Sequence, residues 1–329
     1  MKKPLCKMQG APRLAAPAIE KKAVMTAVKR HASAGPHPPC DMAPYSISPK
    51  DFLLFQAMIY RESGIWLSEA KTALLTGRLS KRLRSLGLRN FTKYYRLVDT
   101  DEEERRTMLD AITTNETHFF REPGHFDFLS QNVFPRWHQE ADAGQRPTQI
   151  RVWSAGCSSG EEPYSLAMLL LKHFPVERWH LEVLATDISA RILEKAREAI
   201  YPIEKMKHIP QEYLRAYMLK GRGDNKGVMK ASPELLRVVR FARVNLHADS
   251  YPIQGFFDLI LCRNVLIYFD QKSKEKVISG IVRHLSPSGL LFVGHSENLG
   301  GISPNLRTVA PTVYAPMPSA DNPSRKIAH

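Results

Sequence analysis

A turn of small residues followed by two acids is the part of the sequence best suited to chemistry. The apolar run Val152–Ala155 leads into a Gly-Cys-Ser-Ser-Gly turn, and Glu161 and Glu162 then open a helical segment. Small side chains at such a turn let a ligand lie against the backbone at the start of a helix. No lysine follows the last glycine, so the turn is not a phosphate-binding P-loop, and the acids favour a ligand with hydroxyl or ammonium groups. The alternative is an ordinary tight turn whose acids favour the helix start.

Polar residues also end two later apolar runs. Asp187 ends one run, 27 residues after Gly160, and Cys262, Arg263 and Asn264 end another. An acid at the position of Asp187 can accept hydrogen bonds from both hydroxyls of a ribose, although it could equally cap the helix that follows. Because the carboxyl ends of parallel strands meet at one edge of a sheet, these positions together predict a crevice for a nucleoside-like ligand.

One further polar segment comes before all of these. In Asn115–Glu122, two aromatic residues are flanked by amide, hydroxyl and guanidinium groups. Taken alone, the segment could equally be a helix start with a packed aromatic face.

The spacing of apolar residues predicts the elements that must position these side chains. From Ile150 onward, short apolar runs alternate with helical segments of about 10–15 residues, which is typical of an α/β fold with a doubly wound, mostly parallel sheet. Val309–Tyr314 is the last predicted strand, at the edge of that sheet. Apolar residues that recur every three or four positions between Phe52 and Leu109 predict a small all-α domain. The segment Tyr201–Pro233 interrupts the alternation and predicts an inserted subdomain or a long excursion.

Composition and charge exclude several classes of protein. The 329 residues are 43% hydrophobic and 24% charged, as in ordinary folded proteins, and no apolar run approaches the roughly 20 residues that span a bilayer. The four cysteines are far apart, which predicts neither a zinc ribbon nor a disulfide framework and favours a cytoplasmic location. About half of the net charge of +14 lies in the first 40 residues, which we interpret as a disordered tail or weak electrostatic tether. The rest could attract an acidic partner.

Five ordered motifs resemble the chemotaxis receptor glutamate O-methyltransferases, which use S-adenosylmethionine. The motifs are Asn115–Glu122 (NETHFFRE), Arg151–Ser165 (RVWSAGCSSGEEPYS), Ala185–Ile188 (ATDI), Cys262–Asp270 (CRNVLIYFD) and Gly294–Asn298 (GHSEN). The resemblance implies a Rossmann-like methyltransferase that esterifies receptor glutamates during bacterial sensory adaptation and releases S-adenosylhomocysteine. It implies no metal.

The resemblance also implies a set of cofactor-binding residues. They are Asn115, Thr117, Arg121, Glu161, Glu162, Asp187, Asn245, Leu246, Cys262, Arg263 and Asn264. In this set Asp187 takes the ribose, and Asn245 and Leu246 lie beside the adenine. Sequence alone does not decide which of Glu161 and Glu162 faces the cofactor.

Two motif positions are the implied catalytic residues. Arg121 would position the incoming glutamate, and Tyr268 would donate a hydrogen bond or line the methyl site. A carboxylate is already a nucleophile at neutral pH, so alignment and removal of water are what the protein must supply.

The domain organisation that we expect follows from the same resemblance. Its segments are a disordered basic leader (1–45), a receptor-facing helical domain (46–112), a methyltransferase domain (113–316) with a small β insertion (about 201–235), and a tail (317–329).

The implied partner is the cytoplasmic helical domain of methyl-accepting chemotaxis receptors. The basic face of the predicted helix Lys71–Leu86 would lie along it, although such a face is equally typical of a solvated surface. The residues of that face are Arg78, Lys81, Arg82 and Arg84. The insertion could also dock a peptide from the receptor C-terminus. We expect a monomer that neither binds nucleic acid nor inserts into a membrane.

Two other functions compete with this interpretation. The positive charge would suit a nucleic-acid methyltransferase, but the chain lacks an Asn-Pro-Pro-Tyr motif and a stripe of interleaved aromatic and basic residues. A non-catalytic S-adenosylmethionine sensor would bind the cofactor without turnover. The intact positions Asn115, Thr117, Arg121 and Asp187 argue against a degenerate site.

Overall fold

The computed structural model describes residues 45–318, so residues 1–44 of the predicted leader and 319–329 of the predicted tail lie outside the described part of the chain. The strands are β1 (Gln149–Ala155), β2 (His180–Asp187), β3 (Ile200–Pro202), β4 (Met218–Lys220), β5 (Val228–Ala231), β6 (Val239–Arg243), β7 (Phe257–Cys262), β8 (Leu285–Val293), β9 (Leu306–Ala310) and β10 (Val313–Pro316). The α-helices are α1 (Pro49–Ser63), α2 (Thr72–Ser85), α3 (Phe91–Thr100), α4 (Glu102–Ile112), α5 (Pro123–Phe128), α6 (Phe134–Asp142), α7 (Glu161–His173), α8 (Ala190–Glu198), α9 (Gln211–Tyr217), α10 (Pro233–Val238) and α11 (Gln271–Val282).

Seven strands form one sheet in the order β6-β2-β1-β7-β8-β10-β9, and the predicted mostly parallel α/β fold is confirmed. Val152 of β1 lies opposite Val183 of β2 and Leu259 of β7, and all three pack into the apolar core on one face. The alternate residues Trp153 and Ile260 pack into the core on the other face. Both faces of the central strands are therefore buried, which explains their near-continuous apolar sequences.

The end of the sheet differs from its prediction. The single edge strand expected at Val309–Tyr314 is wrong, because this stretch is divided between β9 and β10, which are antiparallel and separated by Pro311 and Thr312. Thr312 has a φ of 58°, a left-handed conformation that turns the chain. β10 pairs with β8, so β9 forms the edge.

The first four helices pack around their own apolar core, which includes Phe55, Leu79, Tyr94 and Met108. Ser48 caps α1 by accepting a hydrogen bond from the backbone N–H of Asp51 at 3.0 Å. No helix among residues 45–318 combines the length and the apolar composition that crossing a membrane requires.

An insertion between α8 and β6 carries a small sheet of its own. Its three antiparallel strands lie in the order β3-β5-β4, with a loop at 221–227 joining β4 to β5. The Tyr201 hydroxyl donates a hydrogen bond of 2.8 Å to the carbonyl of Ser159, in the turn after β1. The insertion therefore supports the segment in which the sequence predicts a ligand site.

The segment after α1 joins the helical domain to the sheet domain. Ile65 forms an antiparallel bridge with Phe269, and the backbone N–H of Trp66 donates to the carbonyl of Tyr268 at 2.9 Å. Gly64 ends α1 with a φ of 73°, and a Cβ there would lie 2.4 Å from the His247 ring. This junction therefore requires glycine for two reasons, the backbone conformation and the close approach of the imidazole.

Substituting Gly64 should weaken the junction measurably. For Gly64→Ala we expect a lower free energy of unfolding, by about 1–2 kcal/mol for the left-handed backbone and by about 1–3 kcal/mol more for the collision with His247. Gly87→Ala is the matched control, because Gly87 has a φ of 66° but no atom within 4 Å of an added Cβ. Urea unfolding of both variants makes the comparison. Equal losses in the two variants would contradict the proposed contact with His247.

Candidate active site

A cavity of about 470 Å³ opens at the carboxyl ends of β1, β2 and β7. Its other walls come from the segment after α4, from the α1–α2 connection and from α2. Ten of the twelve residues that the resemblance assigns to cofactor binding or catalysis line it: Asn115, Thr117, Arg121, Glu162, Asp187, Asn245, Leu246, Arg263, Asn264 and Tyr268. The volume is in the range of small-molecule sites.

The turn after β1 is held in place by backbone hydrogen bonds. The N–H groups of Gly156 and Cys157 both donate to the carbonyl of Thr186, each at 2.8 Å. A Cβ on Gly156 would lie 2.4 Å from a methyl group of Val265 on the opposite wall. Only glycine therefore lets the two walls come this close.

The two acids at the start of α7 point to different places. Glu162 lines the cavity, where its carboxylate accepts hydrogen bonds from the Ser154 hydroxyl at 2.7 Å and from Arg263 Nε at 2.8 Å. Glu161 is fully buried away from the cavity and forms an ion pair with Lys205 of the insertion. Of the two, only Glu162 can reach a ligand in the cavity.

Asp187 lines the cavity at the end of β2. One carboxylate oxygen accepts the backbone N–H of Ser158 at 2.9 Å and the other accepts that of Ser189 at 3.0 Å. Each oxygen retains a second lone pair for a ligand hydroxyl. Burial raises the pKa of Asp187. The helix cap that could have explained this residue is supplied by Ser189 instead, whose hydroxyl accepts the N–H of Ile192.

Arg263 connects three of the motifs from a buried position. Besides its ion pair with Glu162, it donates from Nη2 to the carbonyl of Arg121 at 2.7 Å and from Nη1 to His125 Nδ1 at 2.9 Å. Arginine has no acceptor atom, so His125 Nδ1 must be the unprotonated nitrogen. The other nitrogen, Nε2, then donates to the Thr312 hydroxyl at 2.8 Å.

The charges around Arg263 determine the protonation of its neighbours. Burial and the nearby guanidinium lower the pKa of His125 to about 4. Burial acts to raise the pKa of Glu122, but the guanidinium together with hydrogen bonds from His295 and Asn264 outweighs it and holds the pKa below its usual value.

One group of possible metal ligands lies at this place. Atoms of Glu122, His125 and His295 come within 4.8 Å of one another. The Arg263 guanidinium already occupies His125 Nδ1 and carries the positive charge that a cation would bring, so the geometry disfavours a metal there.

The segment Asn115–Arg121 lines the cavity and is joined to the turn after β1. The carbonyl of Asn115 accepts a hydrogen bond from the Ser158 hydroxyl at 3.0 Å, which joins this segment to the turn after β1. Arg121 lines the cavity and donates from Nη1 to the carbonyl of Glu116 at 3.1 Å.

Two further predicted residues, Asn245 and Cys262, differ in their place relative to the cavity. The Asn245 amide donates to the carbonyl of Glu62 at 2.7 Å and accepts the N–H of His247 at 3.0 Å, so it joins the helical domain to the sheet domain. Cys262 is fully buried in the strand and does not line the cavity, and burial raises the pKa of its thiol. Its side chain packs into the apolar core that also contains Trp153 and Ile260.

Trp66 and Ile267 are among the cavity residues that the sequence did not assign to the site. Trp66, in the α1–α2 connection, and Ile267, next to Tyr268, both line the cavity although they are 48% and 50% exposed. Ile267 lies within the motif Cys262–Asp270, which could have indicated it. Trp66 lies in no motif, and it joins the site through the hydrogen bond from its backbone N–H to the carbonyl of Tyr268.

The basic residues of α2 divide into two groups. Arg82 forms an ion pair with Glu104, and Arg78 donates to the carbonyl of Ile112 and to the Thr114 hydroxyl, so both help to hold the helical domain together. Lys81 is exposed. An open groove of about 900 Å³ next to the cavity is lined by these three and also by Asp110 and Arg191. Arg84 is exposed but lies outside the groove.

Comparison with known proteins agrees with this geometry. Residues 50–113 match the family model "CheR methyltransferase, all-alpha domain", and residues 115–315 match "CheR methyltransferase, SAM binding domain". The chain is 39% identical over 272 residues to a chemotaxis protein methyltransferase of Escherichia coli, covering 82% of this chain and 92% of the relative. It is 38% identical over 271 residues to chemotaxis protein methyltransferase 2 of Pseudomonas aeruginosa, covering 81% and 93%.

A weaker structural likeness carries no argument about function. It is to a TehB-like SAM-dependent methyltransferase from Corynebacterium glutamicum, with a TM-score of 0.31 and 16% identity, covering 60% of this chain and 100% of that one. The two family models and the similarity to the curated relatives show that this chain is an S-adenosylmethionine-dependent methyltransferase and belongs to the CheR methyltransferase family.

Proposed function

We propose that this chain methylates glutamate side chains of chemotaxis receptors with S-adenosylmethionine, and so produces glutamate 5-O-methyl esters and S-adenosylhomocysteine in sensory adaptation. The observation that carries the proposal is one cavity, at the strand ends, whose wall includes Arg121 and Tyr268 as well as Asp187. The names of the relatives, which are chemotaxis protein methyltransferases, support the same substrate.

The cavity residues fit S-adenosylmethionine. Asp187 offers spare acceptor sites for two ribose hydroxyls, and Val244 and Leu246 offer an apolar wall for the adenine. Glu162 is held by Ser154 and Arg263 with its carboxylate at the wall, where it suits an ammonium group. We therefore assign the acidic contact to Glu162 and not to Glu161.

The protein side of the reaction is positioning and removal of water. When bound, S-adenosylmethionine supplies an electrophilic methyl group on a sulfonium. A glutamate carboxylate needs no general base, and a group that bound it too tightly would quench it. Arg121 orients the carboxylate, Tyr268 donates a hydrogen bond or lines the methyl site, and Trp66 and Ile267 give the cavity apolar lining that helps to exclude water.

The groove beside α2 suits an acidic receptor helix. Lys81 and Arg191 line it together with the structurally engaged Arg78 and Arg82, and it adjoins the cavity through Arg78, which lines both. Single exposed charge pairs contribute little affinity, roughly 0–1 kcal/mol, but a row of them orients a partner and raises its association rate. A receptor C-terminal peptide could in addition pair with an edge strand of the β3-β5-β4 sheet.

Removing the charge of Asp187 should weaken cofactor binding. We expect Asp187→Asn to bind S-adenosylmethionine about tenfold to a hundredfold more weakly, because charge-assisted hydrogen bonds to the ribose are lost. Burial raises the pKa of Asp187. As the pH is lowered, the wild-type affinity should therefore begin to fall at a higher pH than it would if the aspartate were exposed. Titration calorimetry from neutral to acidic pH measures both effects. If the affinity of Asp187→Asn fell by the same factor on acidification, the assignment of Asp187 to the ribose would be refuted.

Kinetics should show whether Arg121 and Tyr268, the two implied catalytic residues, act in the reaction or only in binding. With saturating cofactor and a receptor cytoplasmic fragment, we expect Tyr268→Phe and Arg121→Ala to lower kcat, because each loses a group that aligns the acceptor. Peptide mass spectrometry of the receptor fragment locates the ester and measures its rate of formation. Unchanged kcat in both variants would remove both residues from the reaction, and a loss of cofactor affinity alone in Arg121→Ala would restrict that residue to binding.

Reversing one charge in the groove should affect receptor affinity alone. We expect Lys81→Glu to raise the KM for the receptor fragment, with the effect shrinking at high salt because exposed charges are screened. Arg82 is unsuitable for this test, since its ion pair with Glu104 holds α2 to α4. Lys272→Glu, on the exposed surface of α11 outside the groove, is the matched control. Equal, salt-independent changes in the two variants would count against docking in the groove.

A further inference from the structure

No residue of the last of the five motifs, Gly294–Asn298, lines the cavity, although the His295 N–H donates a hydrogen bond to Glu122. The motif follows β8, whose neighbour β7 leads into the segment Arg263–Phe269. Glu297 is buried in this motif and does not line the cavity. A buried carboxylate away from the ligand requires an explanation, because its desolvation is costly unless its lone pairs are used.

The Glu297 carboxylate is bound by backbone N–H groups of two different segments. Its Oε2 accepts the N–H of Gly294 at 2.6 Å and that of Asn264 at 2.8 Å. Its Oε1 accepts the N–H of Ile267 at 3.3 Å. The side chain therefore joins the segment after β8 to both ends of the turn after β7.

That turn carries much of one cavity wall. Asn264, Ile267 and Tyr268 all line the cavity. Asn264 has a φ of 58°, a left-handed conformation that asparagine adopts more readily than most residues with a Cβ and that turns the chain here. A Cβ on Gly294 would lie within 3 Å of Asn264 and Glu297, so the two segments are closely packed.

We propose that Glu297 is a positioning residue for the methyl transfer: it fixes the backbone of Asn264 and Ile267, and thereby places Tyr268 at the acceptor. This inference rests on the proposed function. Glutamine has the shape of glutamate but replaces one acceptor oxygen with an NH₂ group, which cannot accept the N–H that faces it. Aspartate keeps both oxygens but is one methylene shorter.

Glu297→Gln should lower kcat about tenfold to a hundredfold, the size expected when a charge-assisted hydrogen bond is lost. Glu275→Gln, an exposed change of the same kind on α11, should leave kcat unchanged. A purely structural loss would also lower kcat, so the deciding measurement is a double-mutant cycle with Tyr268→Phe. If Glu297 acts by placing the tyrosine, the two effects are not additive. Additive effects, or a wild-type kcat in Glu297→Gln, would overturn the proposal.

Amide hydrogen exchange of the wild-type protein gives a second test that needs no variant to fold. The N–H groups of Asn264 and Ile267 should exchange as slowly as those of β7, because the carboxylate holds them. Rapid exchange at both would overturn the proposal whatever the kinetics. If the wild-type chain methylated no receptor glutamate, the proposed function and the catalytic part of this inference would fail together, whereas slow exchange would still support the backbone contact.

Discussion

The buried charge of Arg263 is the interaction on which the site depends. A guanidinium removed from water must be neutralised and must fill its donor positions, and removing one partner of such a pair is costly. Here the partners are Glu162 from the start of α7, the Arg121 carbonyl from the segment after α4, and His125 from α5. Segments that are far apart in the chain are thereby fixed around one cavity, and Glu162, the acid that we propose contacts the cofactor, is held by Ser154 and Arg263.

The second constraint is that the helical domain forms part of the cavity wall. The Trp66 N–H reaches the carbonyl of Tyr268, and the Asn245 amide reaches the carbonyl of Glu62. The segment Arg263–Phe269 after β7 is thus held on one side by the α1–α2 connection, while Glu297 holds its backbone from the segment after β8. A change in either support should therefore affect the reaction by displacing the same segment, Arg263–Phe269.

The fold and the place of the cavity could be predicted because both follow from local rules, whereas the resemblance to a known family supplied most of the individual site residues. Strand alternation predicts the sheet, and polar residues at strand ends must meet at one edge. What the sequence left open depends on contacts between distant segments: Lys205 draws Glu161 away from the cavity, and Glu104 pairs with Arg82 of the basic face. The continuous helical stretch Pro123–Asp142 was not predicted, and the final edge strand was wrong because Thr312 turns the chain.

The central claim is that this cavity transfers a methyl group to a carboxylate. The most direct measurement incubates the full chain with a receptor cytoplasmic fragment and S-adenosylmethionine labelled on the methyl group, and then treats the protein with base. A carboxyl methyl ester releases the label as volatile methanol, which is the result that this account predicts. Label that stays with the protein after base, or tight cofactor binding without any transfer, would contradict it.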